Sequence, residues 1–171
     1  MERILYNEDN LTKDDITEEV GRIKVLLFND NNEILVAYCN NIYQYIGGHL
    51  EDNEDLITCL NREVEEETGI KLNISELDPF LITEMYSKDW PKKNANRNSI
   101  IRYYAIKTNQ KIDYNKINLT EYEKSGDFRI RKINLDEFEK VISDNYNIYE
   151  SAKGIGTEMI NAMKVYKKRT K

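Results

Sequence analysis

The segment from Gly48 to Ile70 holds the densest group of residues in the chain that can do chemistry. Its carboxylates are Glu51, Asp52, Glu54, Asp55, Glu63, Glu65, Glu66 and Glu67. Like charges three and four residues apart repel one another on a helix, so a solvated acidic face is the ordinary reading of such a stretch. The helical wheel separates these acids. At about 100° per residue, Leu56, Leu60 and Val64 define an apolar side, and Glu63 and Glu67 fall within roughly 60° of its centre. Glu66 lies on the flank of that side, and Glu65 points away. Ionised carboxylates turned toward a core are costly unless cations neutralise them. A divalent metal does so directly, and Glu63, Glu66 and Glu67 stand on adjacent turns from which they can converge on one or two ions. Arg62 precedes Glu66 by four residues and can pair with it, orienting a ligand from behind. The pair Gly47–Gly48 lets the backbone approach closely and can add a carbonyl oxygen, although a glycine pair alone is only a turn.

The rest of the composition narrows the metal. His49 is the only histidine, and Cys39 and Cys59 are the only cysteines. These cannot build the nitrogen or thiolate sets of zinc sites, nor a disulfide framework. Oxygen ligands point to Mg2+ or Mn2+. The net charge of −6 disfavours a nucleic-acid backbone as the main partner. The charge is unevenly spread: Lys88 to Lys132 holds 12 Lys/Arg against 5 Asp/Glu, so the rest of the chain carries the acidic excess. An acidic half followed by a basic stretch suits a metal site beside an anion-binding surface, and suits a mixed solvated surface equally well. No apolar run approaches the ~20 residues of a membrane span. Met1 to Asp15 is polar and acidic, without an apolar signal core. No membrane partner and a cytoplasmic location are therefore expected.

The elements that must position the acids follow from periodicity and turn signals. Val20 to Phe28 and Glu33 to Cys39 are apolar runs separated by Asn29-Asp30-Asn31-Asn32, which predicts a hairpin. Tyr43 to Ile46 predicts a short strand ending at Gly47–Gly48. A helix is predicted from about Glu54 to Thr68, capped by Asn53 or Asp52 and stopped at Gly69. Phe80 to Tyr86, Ser99 to Thr108 and Asp127 to Ile133 predict further strands. Leu135 to Ser143 and Glu150 to Lys168 have helical spacing, the latter placing Ile155, Met159, Met163 and Tyr166 on one face. This order predicts an α/β or α+β sandwich with no internal repeat or linker.

Gly48, Glu54, Arg62, Glu63, Val64, Glu66, Glu67, Gly69 and Ile70 match every fixed position of the signature G-x5-E-x7-R-E-U-x-E-E-x-G-U, where U is a bulky aliphatic residue. In these residues the chain resembles the Nudix hydrolase family. The resemblance implies an α/β/α sandwich with a mixed sheet and a single domain over 1–171, its core about 21–142 and its C-terminal helix about 150–168. It implies that Glu63, Glu66 and Glu67 hold the metal, that Arg62 steers them and that Gly48 or Gly47 offers a backbone carbonyl. Glu54 would support the loop-helix-loop or a further metal. The implied activity is attack of water at phosphorus in a nucleoside diphosphate linked to another group, with metals activating the water and stabilising the departing phosphate. The general base would be a signature glutamate or a later loop acid, Glu121 or, in preference, Glu123. Ile46 stands where many members of the family have proline, a difference that touches the stiffness of the loop.

Substrate contacts are sought downstream. Tyr86 lies where dinucleoside-polyphosphate hydrolases of the family carry tyrosine. Tyr86, Trp90, Tyr103 and Tyr104 can stack on a base, or can be ordinary strand and core aromatics. Lys92, Lys93, Arg97 and Arg102 can reach phosphates, and Arg97 and Arg102 are taken forward with Tyr86 as the substrate-binding set. The alternatives are a non-catalytic nucleotide-binding regulatory module of the same fold, an RNA 5′-end pyrophosphohydrolase, and an isopentenyl-diphosphate-type isomerase. The intact acid set argues against the first and the acidic charge against the second. A lone His49 argues against the third. A homodimer through the N-terminal segment or the last helix is compatible with the resemblance.

Overall fold

The structure is a computed structural model that describes residues 1–170. Its centre is the strand β2 (Glu18–Phe28), whose side chains alternate between two buried clusters. Ile23, Val25 and Leu27 pack in one cluster, and Leu26 and Phe28 in the other. A strand covered on both faces must be apolar at every interior position, which is why this run reads as nearly continuous hydrophobicity. The strand β3 (Glu33–Cys39) repeats the pattern, with Leu35 and Ala37 facing one way and Ile34 and Val36 the other. The turn between them is held by the Asn29 side chain, which accepts from the Asn31 and Glu33 amides, and by Asn32 at φ 58°.

Five more strands complete the sheet: β1 (Glu2–Tyr6), β4 (Ile42–Gln44), β5 (Leu81–Ser87), β6 (Arg97–Lys107) and β7 (Arg129–Asn134). Their order is β1-β5-β6-β2-β3-β4, with β7 also on β3. The pairs β1/β5 and β2/β6 are parallel and the others antiparallel, so the sheet is mixed. The helix α1 (Leu56–Thr68) lays Cys59, Leu60 and Val64 on the face of Ile23 and Val25. The helices α3 (Phe138–Ile148) and α4 (Lys153–Arg169) cover the opposite face with Phe138, Ile142, Met159, Ile160 and Met163. The result is the expected α/β/α sandwich. Among the described residues no helix is long and apolar enough to cross a membrane.

The structure departs from the sequence expectations in four places. The polar N-terminus forms β1, which pairs with β5 and has only Ile4 half-buried; an edge strand held by a distant partner carries no alternation of its own. A short helix α2 (Glu121–Ser125) precedes β7. The third helix starts at Phe138 rather than Leu135, because Leu135 donates its amide to the Asn32 carbonyl and Asn134 closes a turn onto Asp136 and Glu137. In α4, Ile155 is 37% exposed and Gly156 takes the core-facing place, where a Cβ would stand 2.7 Å from the Tyr146 ring.

Candidate active site

The carboxylate helix is set at both ends by local chemistry. Its N-cap is Asp55, not Asn53 or Asp52: one Asp55 oxygen accepts from the Ile57 and Thr58 amides at 2.9 Å each, and the other from the Thr58 hydroxyl at 2.6 Å. Asn53 instead adopts φ 64° in the preceding turn, a conformation an N-cap cannot have. At the other end Gly69 takes φ 68° and donates its amide to the Glu65 carbonyl at 2.7 Å.

Between these ends Arg62 acts as a hub. Its Nε and Nη2 donate to the two Glu54 oxygens at 2.7 and 2.8 Å. Nη1 donates to Glu63 Oε1 at 2.9 Å and Glu66 Oε2 at 3.0 Å, and Nη2 also reaches the His49 carbonyl at 3.1 Å. The planar fork satisfies three carboxylates and one carbonyl at once, a geometry that a lysine ammonium cannot reproduce. The Glu54 carboxylate, with Glu63 beside it, holds the guanidinium charge firmly on, and Arg62 in turn holds Glu54 below the usual carboxylate range.

Glu63 and Glu67 turn inward, at 9% and 4% exposure. Burial pushes both upward. At Glu63 the Arg62 guanidinium opposes the rise; at Glu67 the Lys24 ammonium opposes it, while Glu63 and Glu123 add to it. Glu67 Oε1 accepts from the Gly47 amide at 3.4 Å, and its Oε2 is buried with no hydrogen-bond partner among the described residues. The glycine pair fits tightly around these acids. A Cβ on Gly48 would stand 2.6 Å from Glu63 Oε2, and Gly47 sits at φ 131° with the Ile23 carbonyl oxygen where a Cβ would fall. Gly48→Ala is therefore expected to destabilise the protein by about 1–3 kcal/mol, as overpacking does. Urea unfolding would read this, and an unchanged midpoint would mean that Glu63 swings clear.

The raised acids also set a pH dependence. Unfolded, Glu63 and Glu67 ionise in the ordinary glutamate range; folded, they hold their protons to higher pH. Over that interval the folded state binds more protons, so metal-free protein should lose stability as pH rises through and above the ordinary glutamate range. Lowered acids such as Glu54 and Asp55 contribute the opposite slope, but below that range. Thermal unfolding against pH in chelator should show the decline, and Glu67→Gln should flatten it. An equal slope in both proteins would contradict the assignment.

The residues present fit a divalent cation. An orphaned buried carboxylate oxygen, two inward acids whose burial resists ionisation and an all-oxygen donor set suit a hard metal ion. Among the described residues no three potential ligand side chains are gathered into a metal-holding group. Arg62 draws Glu63 and Glu66 to one side, and Glu67 lies against Gly47. Of the carbonyls, Gly48 O already accepts from the Ile23 amide at 3.0 Å, and Gly47 O from Lys24 Nζ at 3.4 Å, each keeping one lone pair.

The remaining candidates are dispersed. Glu123 caps α2, accepting from the Thr120 amide and hydroxyl at 2.7 and 2.8 Å, and its charge is felt at Glu67. Tyr103 and Tyr104 are wholly buried core residues, while Trp90 is 58% exposed. Arg97 and Arg102 lie an odd number of residues apart on β6 and so point to opposite faces. Arg97 Nε bonds Glu18 at 2.8 Å on the α3/α4 face. Arg102 shares the α1 face with Tyr86, whose register partner is Asn98. The three candidate substrate contacts are thus not brought together. Sequence reasoning missed Lys24, whose Nζ bonds the Tyr45 and Gly47 carbonyls at 3.2 and 3.4 Å and whose charge reaches Glu63 and Glu67. Its signal was present: Arg22 and Lys24 alternate with apolar residues in an otherwise buried strand.

Comparison with known proteins gives one informative match. The family model described as NUDIX domain matches residues 19–149, more than half of the chain. No curated protein matches. Among solved structures a MutT chain, from a study of the Aliivibrio salmonicida and Vibrio cholerae proteins, is similar at 16% identity. The match covers 71% of this chain and 82% of that one with a TM-score of 0.39, a likeness too slight to carry weight.

Proposed function

The chain belongs to the Nudix family and is a Nudix hydrolase acting on phosphorus-containing anhydrides, and from that premise we propose that it is an Mg2+- or Mn2+-dependent pyrophosphohydrolase of a nucleoside diphosphate linked to another group. The observation that carries the metal dependence is Glu67, buried beside Gly47–Gly48 with one carboxylate oxygen lacking any partner. Glu63, Glu66 and Glu67 would hold the metal, with the Gly48 carbonyl able to contribute a further oxygen. Bound there, a divalent ion would supply an activated water and neutralise charge on the phosphate oxygens.

The chain's own residues do the positioning. Arg62 pairs with Glu63 and Glu66 and is itself held by Glu54. Glu67 is anchored by the Gly47 amide and keeps its second oxygen free. Glu123 is proposed to take the proton of the attacking water once it leaves the Thr120 cap. The two free thiols, Cys39 and Cys59, are consistent with a reducing, cytoplasmic setting.

The test is a panel of nucleoside diphosphate derivatives with Mg2+ or Mn2+, read as phosphate release after added phosphatase. Turnover of at least one compound that stops on chelation is expected. Nucleotide binding without turnover would replace this reading with that of a regulatory binding module.

A further inference from the structure

We propose that Arg22 and Lys24 form the anion-binding arm of this site, Lys24 contacting the phosphoryl group that lies against the carboxylates and Arg22 the next anionic group of the substrate. The inference rests on the hydrolase reading and extends it to how the substrate is held.

The two residues are two apart on β2, so their side chains leave the same face about 7 Å apart. That face is the one covered further along by α4, as the register of Lys24 with Tyr103 shows; Tyr103 donates to Glu158 of α4 at 2.6 Å. Where α4 ends its coverage, Arg22 and Lys24 remain half-buried. Lys24 lies at the glycine pair, bonded among the described residues only to the Tyr45 and Gly47 carbonyls. Arg22 is joined through its backbone to His49, the residue after Gly48, so both cations border the loop that cradles Glu63.

Neither cation has a carboxylate within salt-bridge distance among the described residues. By contrast Arg62 and Arg97, also half-buried, are both paired. Arg22 Nε is buried with no hydrogen-bond partner among the described residues. Glu158 is near enough for its charge to act on Arg22 but makes no ion pair with it, and its carboxylate is engaged by Tyr103. An unsatisfied buried guanidinium nitrogen lowers stability, and an arginine kept for packing would have found a partner. A ligand anion supplies the missing acceptors, bidentately for a guanidinium. The two cations without a carboxylate partner stand beside the loop that cradles Glu63 and complement a chain of phosphates.

The test uses inorganic pyrophosphate as probe, titrated calorimetrically into the 171-residue chain with Mg2+. Arg22→Met and Lys24→Met should each weaken binding about tenfold to a hundredfold, the scale of a lost charge-assisted hydrogen bond. Arg22→Met should also unfold at the same temperature as wild type or higher. Unchanged pyrophosphate affinity in Arg22→Met overturns the proposal, as does a wild-type protein that does not bind pyrophosphate. If Arg22→Met unfolds earlier, Arg22→Lys decides. Affinity kept within a few-fold supports the anion contact, and a loss equal to that of Arg22→Met assigns Arg22 to packing. Because binding is read without turnover, failure here with intact metal-dependent hydrolysis removes only the arm. Intact binding with no hydrolysis of any compound removes the enzymatic reading instead.

Discussion

Glu67→Gln is expected to lower metal-dependent turnover roughly 10²- to 10³-fold, equivalent to several kcal/mol of transition-state stabilisation. The protein should stay folded. Glutamine has nearly the same volume, and the Gly47 amide can still donate to its carbonyl oxygen. In chelator the variant should be more stable than wild type above the ordinary glutamate range, because a carboxylate whose ionisation burial opposes has been replaced by a neutral group. Glu66→Gln should lose turnover comparably with little change in stability, since its side chain is 36% exposed. Steady-state rates with Mg2+ or Mn2+, alongside thermal unfolding, separate the two effects. Near wild-type turnover in either variant would remove that glutamate from the proposed ligand set.

The second large effect is expected at Arg62. Arg62→Met removes the cation that holds Glu54, Glu63 and Glu66, leaving three acids and the His49 carbonyl facing one another. Breaking a buried ion pair from one side costs about 3–5 kcal/mol. The guanidinium is partly open, with 22% of its side chain exposed, so the lower end of that range is expected. Arg62→Lys restores the charge but reaches only part of the set. It should recover some of the stability while turnover stays about 10- to 100-fold low, the effect of loosening residues that orient a metal ligand. Urea unfolding and a double-mutant cycle with Glu54→Gln would apportion the energy, and a near-zero coupling would show that the bidentate pair adds nothing to stability.

The legibility of this molecule in its sequence varies with the range of the interactions involved. Helix periodicity is local, so the inward turn of Glu63 and Glu67 could be read from their spacing to Leu60 and Val64 alone. The stop at Gly69 is likewise local. The cap was misplaced by two or three residues, because Asn53, Asp55 and Asp52 are all good capping types and only the backbone of the turn selects Asp55. β1 was illegible because its strand state comes entirely from pairing with β5, about eighty residues away. Gly156 replaced Ile155 at the core because α4 crosses α3 closely at Tyr146, a contact no single-helix pattern contains.

What the sequence determined by itself is the acid cluster at Gly48 to Ile70, the oxygen donors it offers and, through the signature, its family. Short-range spacing and side-chain chemistry suffice for these. Tertiary structure alone decided which cations besides Arg62 stand near the acids. Arg97 and Arg102 look equivalent along the chain, yet the pleat sends them to opposite faces of the sheet. Tyr103 and Tyr104 look available for stacking, yet helices on both faces bury them. Lys24 comes to the glycine loop only because β2 pairs with residues 46–49. The physical reason is the same throughout. Direction along a helix is set within a few residues, whereas proximity across a sheet is set by partners that the chain reaches only on folding.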